Sequence, residues 1–209
     1  MSRAGQIERN AHDLYKTPHD AFASLLPFLS RVHTWEPAQG DGRLVRWMNE
    51  AKIECVGSDI QDKPSVDFLN AGAVRFGAKQ IVTNPPYLLA RQFVEKALSF
   101  VPEVWMLTRI NFLGSAKRKA FWEKHRLSAL FTLSDRPSFC AAVKCSKCKR
   151  KWSQDIEAPR PKKCGEKIYP PGVSPRFAIC DGALKYTTSD ACEYGWLYWG
   201  ERWKGFHWL

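Results

Sequence analysis

The chain has 209 residues, 44% of them hydrophobic, enough for one well-cored domain and a small insert. Its formal charge of +11 points to a polyanionic partner, because lysine and arginine that neutralise phosphates release counterions, although a solvated basic surface has the same composition. No apolar run approaches the ~20 residues that span a bilayer, and the N-terminal MSRAGQIERNAHDLYKTP lacks an apolar signal region, so the expectation is a soluble cytoplasmic protein with no membrane partner.

In chain order, Thr17-Pro18 predicts a helix start, with Thr17 capping, Pro18 in the first turn, and Ala21, Phe22, Leu25, Leu26 and Leu29 at helical spacing. Val32 to Trp35 predicts a strand, followed by the turn Glu36 to Gly42. Arg43 to Ala51 predicts an amphipathic helix, with Leu44, Val45, Trp47 and Met48 on its apolar side. Ile53 to Gly57 predicts a second strand, ending at Ser58-Asp59, and Val66 to Leu69 a weaker extended piece. Gln80 to Thr83 predicts a buried strand that the prolines of Asn84-Pro85-Pro86-Tyr87 end abruptly. Helix, strand, helix and strand follow at Leu88 to Phe100, Val104 to Thr108, Ala116 to His125 and Leu130 to Leu133. The aromatic stretch Tyr194 to Trp199 predicts an antiparallel strand at the sheet edge. Strands alternating with helices indicate an α/β, Rossmann-like fold with a mostly parallel sheet, which binds ligands at the carboxyl ends of its strands. Both unusual turns, at Glu36 and Asn84, follow strands and belong to that rim.

The turn WEPAQGDG carries Gly40 and Gly42, which permit a tight strand-to-helix turn and close approach of a ligand to the backbone. Asp59 ends the next strand about 20 residues on, where an acid grips ribose hydroxyls. The plain alternative is a βαβ turn with a capping aspartate. Together the two features favour a nucleoside-containing cofactor. Glu36 argues against a dinucleotide, since a carboxylate there repels a pyrophosphate and suits a cationic ligand such as a sulfonium. At Asn84-Pro85-Pro86-Tyr87, the Asn84 side-chain oxygen and the Pro85 carbonyl form a pair of acceptors for an exocyclic amine. They would stabilise the positive charge that grows as the amine attacks. Tyr87 offers a ring to stack on a base, worth about 1–3 kcal/mol. His12, His19, His33, His125 and His207 are scattered and suggest no general base.

With these residues in view, the chain resembles the S-adenosylmethionine-dependent amino-methyltransferases of DNA, especially the small adenine-N6 type of phages and bacteria. Tyr15-Lys16-Thr17-Pro18 resembles the N-terminal motif that helps hold the cofactor. Glu36-Pro37-Ala38-Gln39-Gly40-Asp41-Gly42 resembles the cofactor loop, Asp59-Ile60 the ribose contact, and Asp67-Phe68-Leu69 the contacts to the cofactor's adenine. Asn84-Pro85-Pro86-Tyr87 resembles the catalytic motif. Arg136-Pro137-Ser138-Phe139 and Asp190 to Trp199 resemble the elements that close the target-base pocket, with Phe139 against the extruded base. The resemblance implies a class I methyltransferase fold, S-adenosylmethionine as cofactor, and methyl transfer to N6 of a flipped adenine in double-stranded DNA. It also implies a bacterial or phage-infected cytoplasm and a setting of restriction protection or genome modification. About seventeen residues separate Asp67 from Asn84, too few for a recognition domain.

The seven cysteines are Cys55 and, in the last third, Cys140, Cys145, Cys148, Cys164, Cys180 and Cys192. An odd count argues against a disulfide framework, and the clustering suggests metal. From Cys140 to Arg176 ten Lys/Arg stand against three Asp/Glu, so residues 140–176 form a basic insert between the two parts of the main domain, 1–139 and 177–209. Cys145-Ser146-Lys147-Cys148 followed by Trp152 resembles half a zinc ribbon. Cys164 gives a third ligand, and Cys140 or Cys180 the fourth that tetrahedral zinc requires. A structural zinc ion would fold this short polar segment and turn Lys147, Lys149, Arg150 and Lys151 toward phosphate. The plain alternative is a basic loop with incidental thiols.

The rivals to DNA adenine methylation are methylation of RNA adenine and of a glutamine side-chain amide in a protein, with cytosine N4 ranked lower because its enzymes usually carry serine or aspartate in place of Asn84. A nucleic-acid-binding module with a vestigial fold is the non-enzymatic rival. Nothing in the sequence calls for an obligate protein partner.

Overall fold

The computed structural model describes residues 15–71, 77–134, 137, 139–149, 151–155, 183–187 and 192–209. Contacts divide the chain into two compact units, one containing residues 11–137 and 191–209, the other Ser138–Asp190.

The larger unit is α/β. Its strands are β1 (Thr34–Glu36), β2 (Cys55–Gly57), β3 (Gln80–Thr83), β4 (Glu103–Arg109) and β5 (Ala129–Thr132), with two more supplied by the C-terminal stretch. The helices α1 (His19–Ala23), α2 (Arg43–Glu50), α3 (Ala90–Leu98) and α4 (Lys119–Lys124) alternate with them. The expected helix over 116–125 divides into a 3-10 turn, Ala116–Arg118, and α4. Of the extended piece expected over Val66 to Leu69, Val66 and Asp67 have no regular structure and Phe68 and Leu69 enter a turn. Val104 through Thr108 are buried without alternation, the pattern of a parallel strand covered on both faces.

The smaller unit contains β6 (Cys140–Cys145), β7 (Lys151–Asp155) and β8 (Leu184–Thr187), an antiparallel sheet with β6 in the middle. β8 pairs with β6 from Cys145↔Leu184 to Ala142↔Thr187. This ladder carries the insert past residue 176, where the basic composition ends. Composition marks the change in charge but not the strand that returns to close the sheet.

The C-terminal stretch completes the larger unit with β9 (Tyr194–Trp199) and β10 (Gly205–Trp208), giving the order β10-β5-β9-β4-β3-β1-β2. β9 is antiparallel to both β4 and β5 and lies between them, which corrects the expectation of an edge strand. The reason is burial: all six residues Tyr194 to Trp199 are buried, and only an interior strand packs both faces. The edge belongs to β10, parallel to β5, with Phe206 and Trp208 exposed. Among the described residues no helix is long and apolar enough to cross a membrane.

Candidate active site

The chain runs from β1 through α2 to β2 on one side of β1, then returns to β3 on the other. That reversal is a topological switch point, where the connections diverge and leave a crevice beyond the carboxyl ends of the strands. A cavity of about 140 Å³ lies there, roughly ten times the ~10–15 Å³ that one water needs by the same measure. Its wall comes from the loop after β1 (Pro37, Ala38, Gly40), the end of β2 (Asp59, Ile60), the following turn (Asp67, Phe68), Asn84 and Pro86 after β3, and the segment Tyr15 to Thr17.

The β1 loop is held by its neighbours rather than by regular structure. Gly40 and Gly42 have φ of +53° and +74°, a region that side chains disfavour. The Gly42 N–H donates to the Gln39 carbonyl at 2.8 Å, tightening the turn ahead of α2. The Gly40 N–H donates to Asp59 Oδ2 at 3.0 Å, and the Gln61 N–H to Asp59 Oδ1 at 2.9 Å. Asp59 therefore joins the ends of β1 and β2 and still has lone pairs for a ligand hydroxyl. Gln39 Nε2 donates to Asp62 Oδ2 at 2.8 Å, a second tie between the same loops.

Asp41 of the cofactor-like loop and Arg43, the first residue of α2, anchor the N-terminal segment to this loop. Arg43 is 7% exposed, pairs with Asp41 at 2.8 Å and donates from Nη1 to the Thr17 carbonyl at 3.1 Å. Lys16 Nζ lies 3.5 Å from Asp41. Burial alone would raise the Asp41 carboxyl, but Arg43 and Lys16 together hold it below the ordinary range. An arginine opens α2 at the end where the helix dipole disfavours cations, and that misplacement is the signal for a local partner.

Glu36 is fully buried at the end of β1 and lies outside the residues lining the cavity. Its Oε1 accepts the Ala38 N–H at 3.0 Å, while Oε2 is buried without a partner in hydrogen-bond geometry among the described residues. Burial dominates over the nearby Thr83 hydroxyl and backbone N–H groups, and the carboxyl is pushed up to about 8. Glu36 thus stands behind the loop as a neutral acid at neutral pH, not as the exposed counter-charge expected for a cationic ligand.

Asn84 is the most informative residue on the wall. Its Nδ2 donates to the Tyr15 carbonyl at 2.7 Å and to Thr17 Oγ1 at 3.1 Å. A carbonyl only accepts, so these partners fix which end of the amide is nitrogen. Oδ1 is then left buried with no partner among the described residues, a state that costs about 1–3 kcal/mol. Thr17 Oγ1 accepts from this amide and does not cap α1, whose N-cap is Pro18 without a side-chain bond. Tyr87, outside the cavity lining, stacks on Tyr15 with centroids 5.4 Å apart and planes at 20°. The Arg109 guanidinium lies over both rings, at 5.3 Å from Tyr87 and 5.6 Å from Tyr15, and 5.9 Å from the ring of Tyr194. Arg109 and Tyr194 end β4 and begin β9, and neither stands out in the sequence except as a charge closing an apolar strand and an aromatic opening one.

Of the remaining expected residues, Pro18, Gly42 and Pro85 are not among those that line the cavity. Phe139 is buried and belongs to the 138–190 unit, while Arg136 lies outside the described residues. Lys147 and Lys149 are exposed. Lys151 opens β7, and Arg150 lies outside the described residues. Cys145 ends β6, buried, and Cys148 sits exposed in the turn that follows. Cys140 begins β6, with its side chain outside the described set, as is Cys164. Among the described residues no group of three or more His, Cys, Asp or Glu is gathered as a metal site. Neither a scan against protein families nor a search of curated proteins finds a match for this chain.

Proposed function

We propose that this chain is an S-adenosylmethionine-dependent amino-methyltransferase of the class I fold that methylates N6 of adenine in DNA. The single observation that carries the reading is the Asn84 amide. Two fixed acceptors consume its N–H groups, and its buried oxygen has no partner among the described residues, in a side chain that borders a cavity at the switch point of the sheet. A small opening of the segment Tyr15 to Thr17 that holds the amide would expose this acceptor to a ligand donor, and an aromatic amine has two such protons. The wall also suits the cofactor. Gly40 lets a ligand approach the backbone, Asp59 keeps lone pairs for ribose hydroxyls, and Ile60, Asp67 and Phe68 flank the place of a flat base. Bound there, S-adenosylmethionine supplies an electrophilic methyl carbon.

The residues then divide the work. Asn84 Oδ1 accepts one amine N–H, and its held orientation means no reorganisation is needed as positive charge grows on the nitrogen. Tyr15 and Thr17 position that amide. Tyr87 offers one ring of an aromatic stack that an extruded base would join or displace, since Tyr15 lies against it. No strong base is required, because the amine becomes acidic only as it attacks. The basic 138–190 unit would lie against phosphate. Its Cys145 and Cys148, placed at the turn between β6 and β7, suit one half of a structural zinc site.

The test is incorporation of labelled methyl groups from S-adenosylmethionine into adenine-containing DNA. Asn84→Ala is expected to lower turnover by at least about 10²–10³-fold while the cofactor still binds, as measured by calorimetry. Near-normal turnover by that variant, or labelled RNA or protein in place of DNA, would overturn the assignment.

A further inference from the structure

We propose that Arg109 is the phosphate anchor for the nucleotide whose base meets Asn84; this deepens the methyltransferase reading above and rests on it. Arg109 ends β4 beside β3, and the register Thr83↔Met106 puts it on the same carboxyl rim as Asn84. The two are linked through one residue: Tyr15 accepts from the Asn84 amide through its carbonyl, and its ring lies 5.6 Å from the Arg109 guanidinium.

Three tyrosine rings surround this cation, at 5.3, 5.6 and 5.9 Å. Its Nε donates to the Tyr194 hydroxyl at 3.2 Å, which fixes the plane of the group. Its two terminal nitrogens have no acceptor among the described residues, and no carboxylate there pairs with it. Other arginines of the unit differ. Arg43 is paired with Asp41 and the Thr17 carbonyl, Arg118 donates to three carbonyls, and Arg202 lies 3.6 Å from Glu103. Arg109 alone among these four keeps its outer edge unused, while remaining partly exposed.

A guanidinium cannot shed its charge, and four N–H groups in a planar fork match a phosphate bidentately. The aromatic cage removes its freedom without neutralising it, so a phosphate meets a preorganised cation. A base whose amine reaches Asn84 carries its own phosphates one sugar away, toward this same rim.

The experiment titrates salt against binding of a fluorescently labelled single-stranded oligo(dA), for the full chain and for Arg109→Met and Arg109→Lys, between about 50 and 200 mM. Arg109→Met is expected to make the slope of log K against log salt shallower by about 0.7, the value for one phosphate of a single strand, and to weaken binding about ten- to a hundred-fold. Arg109→Lys is expected to keep the slope and lose several-fold in affinity, because it keeps the charge but not the fork. S-adenosylmethionine affinity stays at the unmodified value in both. Unchanged slope and affinity in Arg109→Met would overturn the proposal. If that variant loses the cofactor through misfolding, unchanged oligo(dA) affinity in Arg109→Lys overturns it instead. An unmodified chain that binds neither S-adenosylmethionine nor oligo(dA) overturns the methyltransferase reading itself, a result distinct from variants that behave as the parent.

Discussion

Glu36→Gln isolates the buried carboxyl behind the β1 loop. The side chain keeps its shape, and an amide oxygen can still accept the Ala38 N–H now held at 3.0 Å. In the unfolded chain the carboxyl titrates near 4.5, and in the folded chain burial pushes it up to about 8. A raised folded value means the proton is held more tightly in the native state. Below about 4.5 both states are protonated and stability is at its full value; as pH rises toward 8, unfolding releases a proton, and stability falls by about 1.4 kcal/mol per pH unit. The total across the window is roughly 5 kcal/mol, and it levels off above pH 8 once both states are ionised. The glutamine variant lacks this dependence. Urea unfolding of both proteins between about pH 4.5 and 9 therefore gives a stability difference that grows in favour of Glu36→Gln with rising pH, other titrating groups cancelling in the comparison. A difference flat across that window would mean that Glu36 is ionised in the fold at an ordinary value, and the assignment of a neutral acid behind the loop would be wrong.

Gly57→Ala tests how closely the β2 end approaches the same loop. A Cβ there runs into Gln39 Oε1 and comes within 2.7 Å of Val45 Cγ2, so thermal denaturation is expected to show a loss of about 1–3 kcal/mol, with weaker S-adenosylmethionine binding as Gln39 is displaced from Asp62. An unchanged melting temperature and affinity would show that the loop yields without cost. For the smaller unit, elemental analysis of protein from zinc-replete cells is expected to give about one zinc per chain. Cys145→Ser and Cys148→Ser should lose the ion and leave S-adenosylmethionine binding intact. Metal-free protein that keeps the β6–β7–β8 sheet would rule the zinc assignment out.

How much of this was legible in the sequence differs from element to element. Strand and helix alternation gave β1 to β5 and the α/β class, because apolar runs bounded by turn residues are local signals. β9 is legible as a strand but not in its place within the sheet. Tyr194 to Trp199 has no polar alternation, which already implies two covered faces, but its neighbours β4 and β5 are set by pairing across many residues. β10 is not legible, because Phe206 and Trp208 are exposed and the hydrophobic pattern there does not describe a core. At the site, Gly40, Asp59 and Asn84 were readable from residue type and spacing, whereas the partners that orient Asn84 are not. Tyr15 and Thr17 lie 69 and 67 residues away, and only the fold brings their oxygens to one amide. Glu36 was readable as an acid at the loop but not as a neutral one, since its proton depends on burial that a sequence does not display.

The measurement closest to the central claim is expression of the chain in a host without adenine methylation, followed by sequencing that maps N6-methyladenine at each genomic position. The account predicts N6-methyladenine in that DNA, and its disappearance when Asn84→Ala is expressed at the same level. Unmodified DNA from cells that accumulate the folded protein, or modification that persists in the variant, would contradict it.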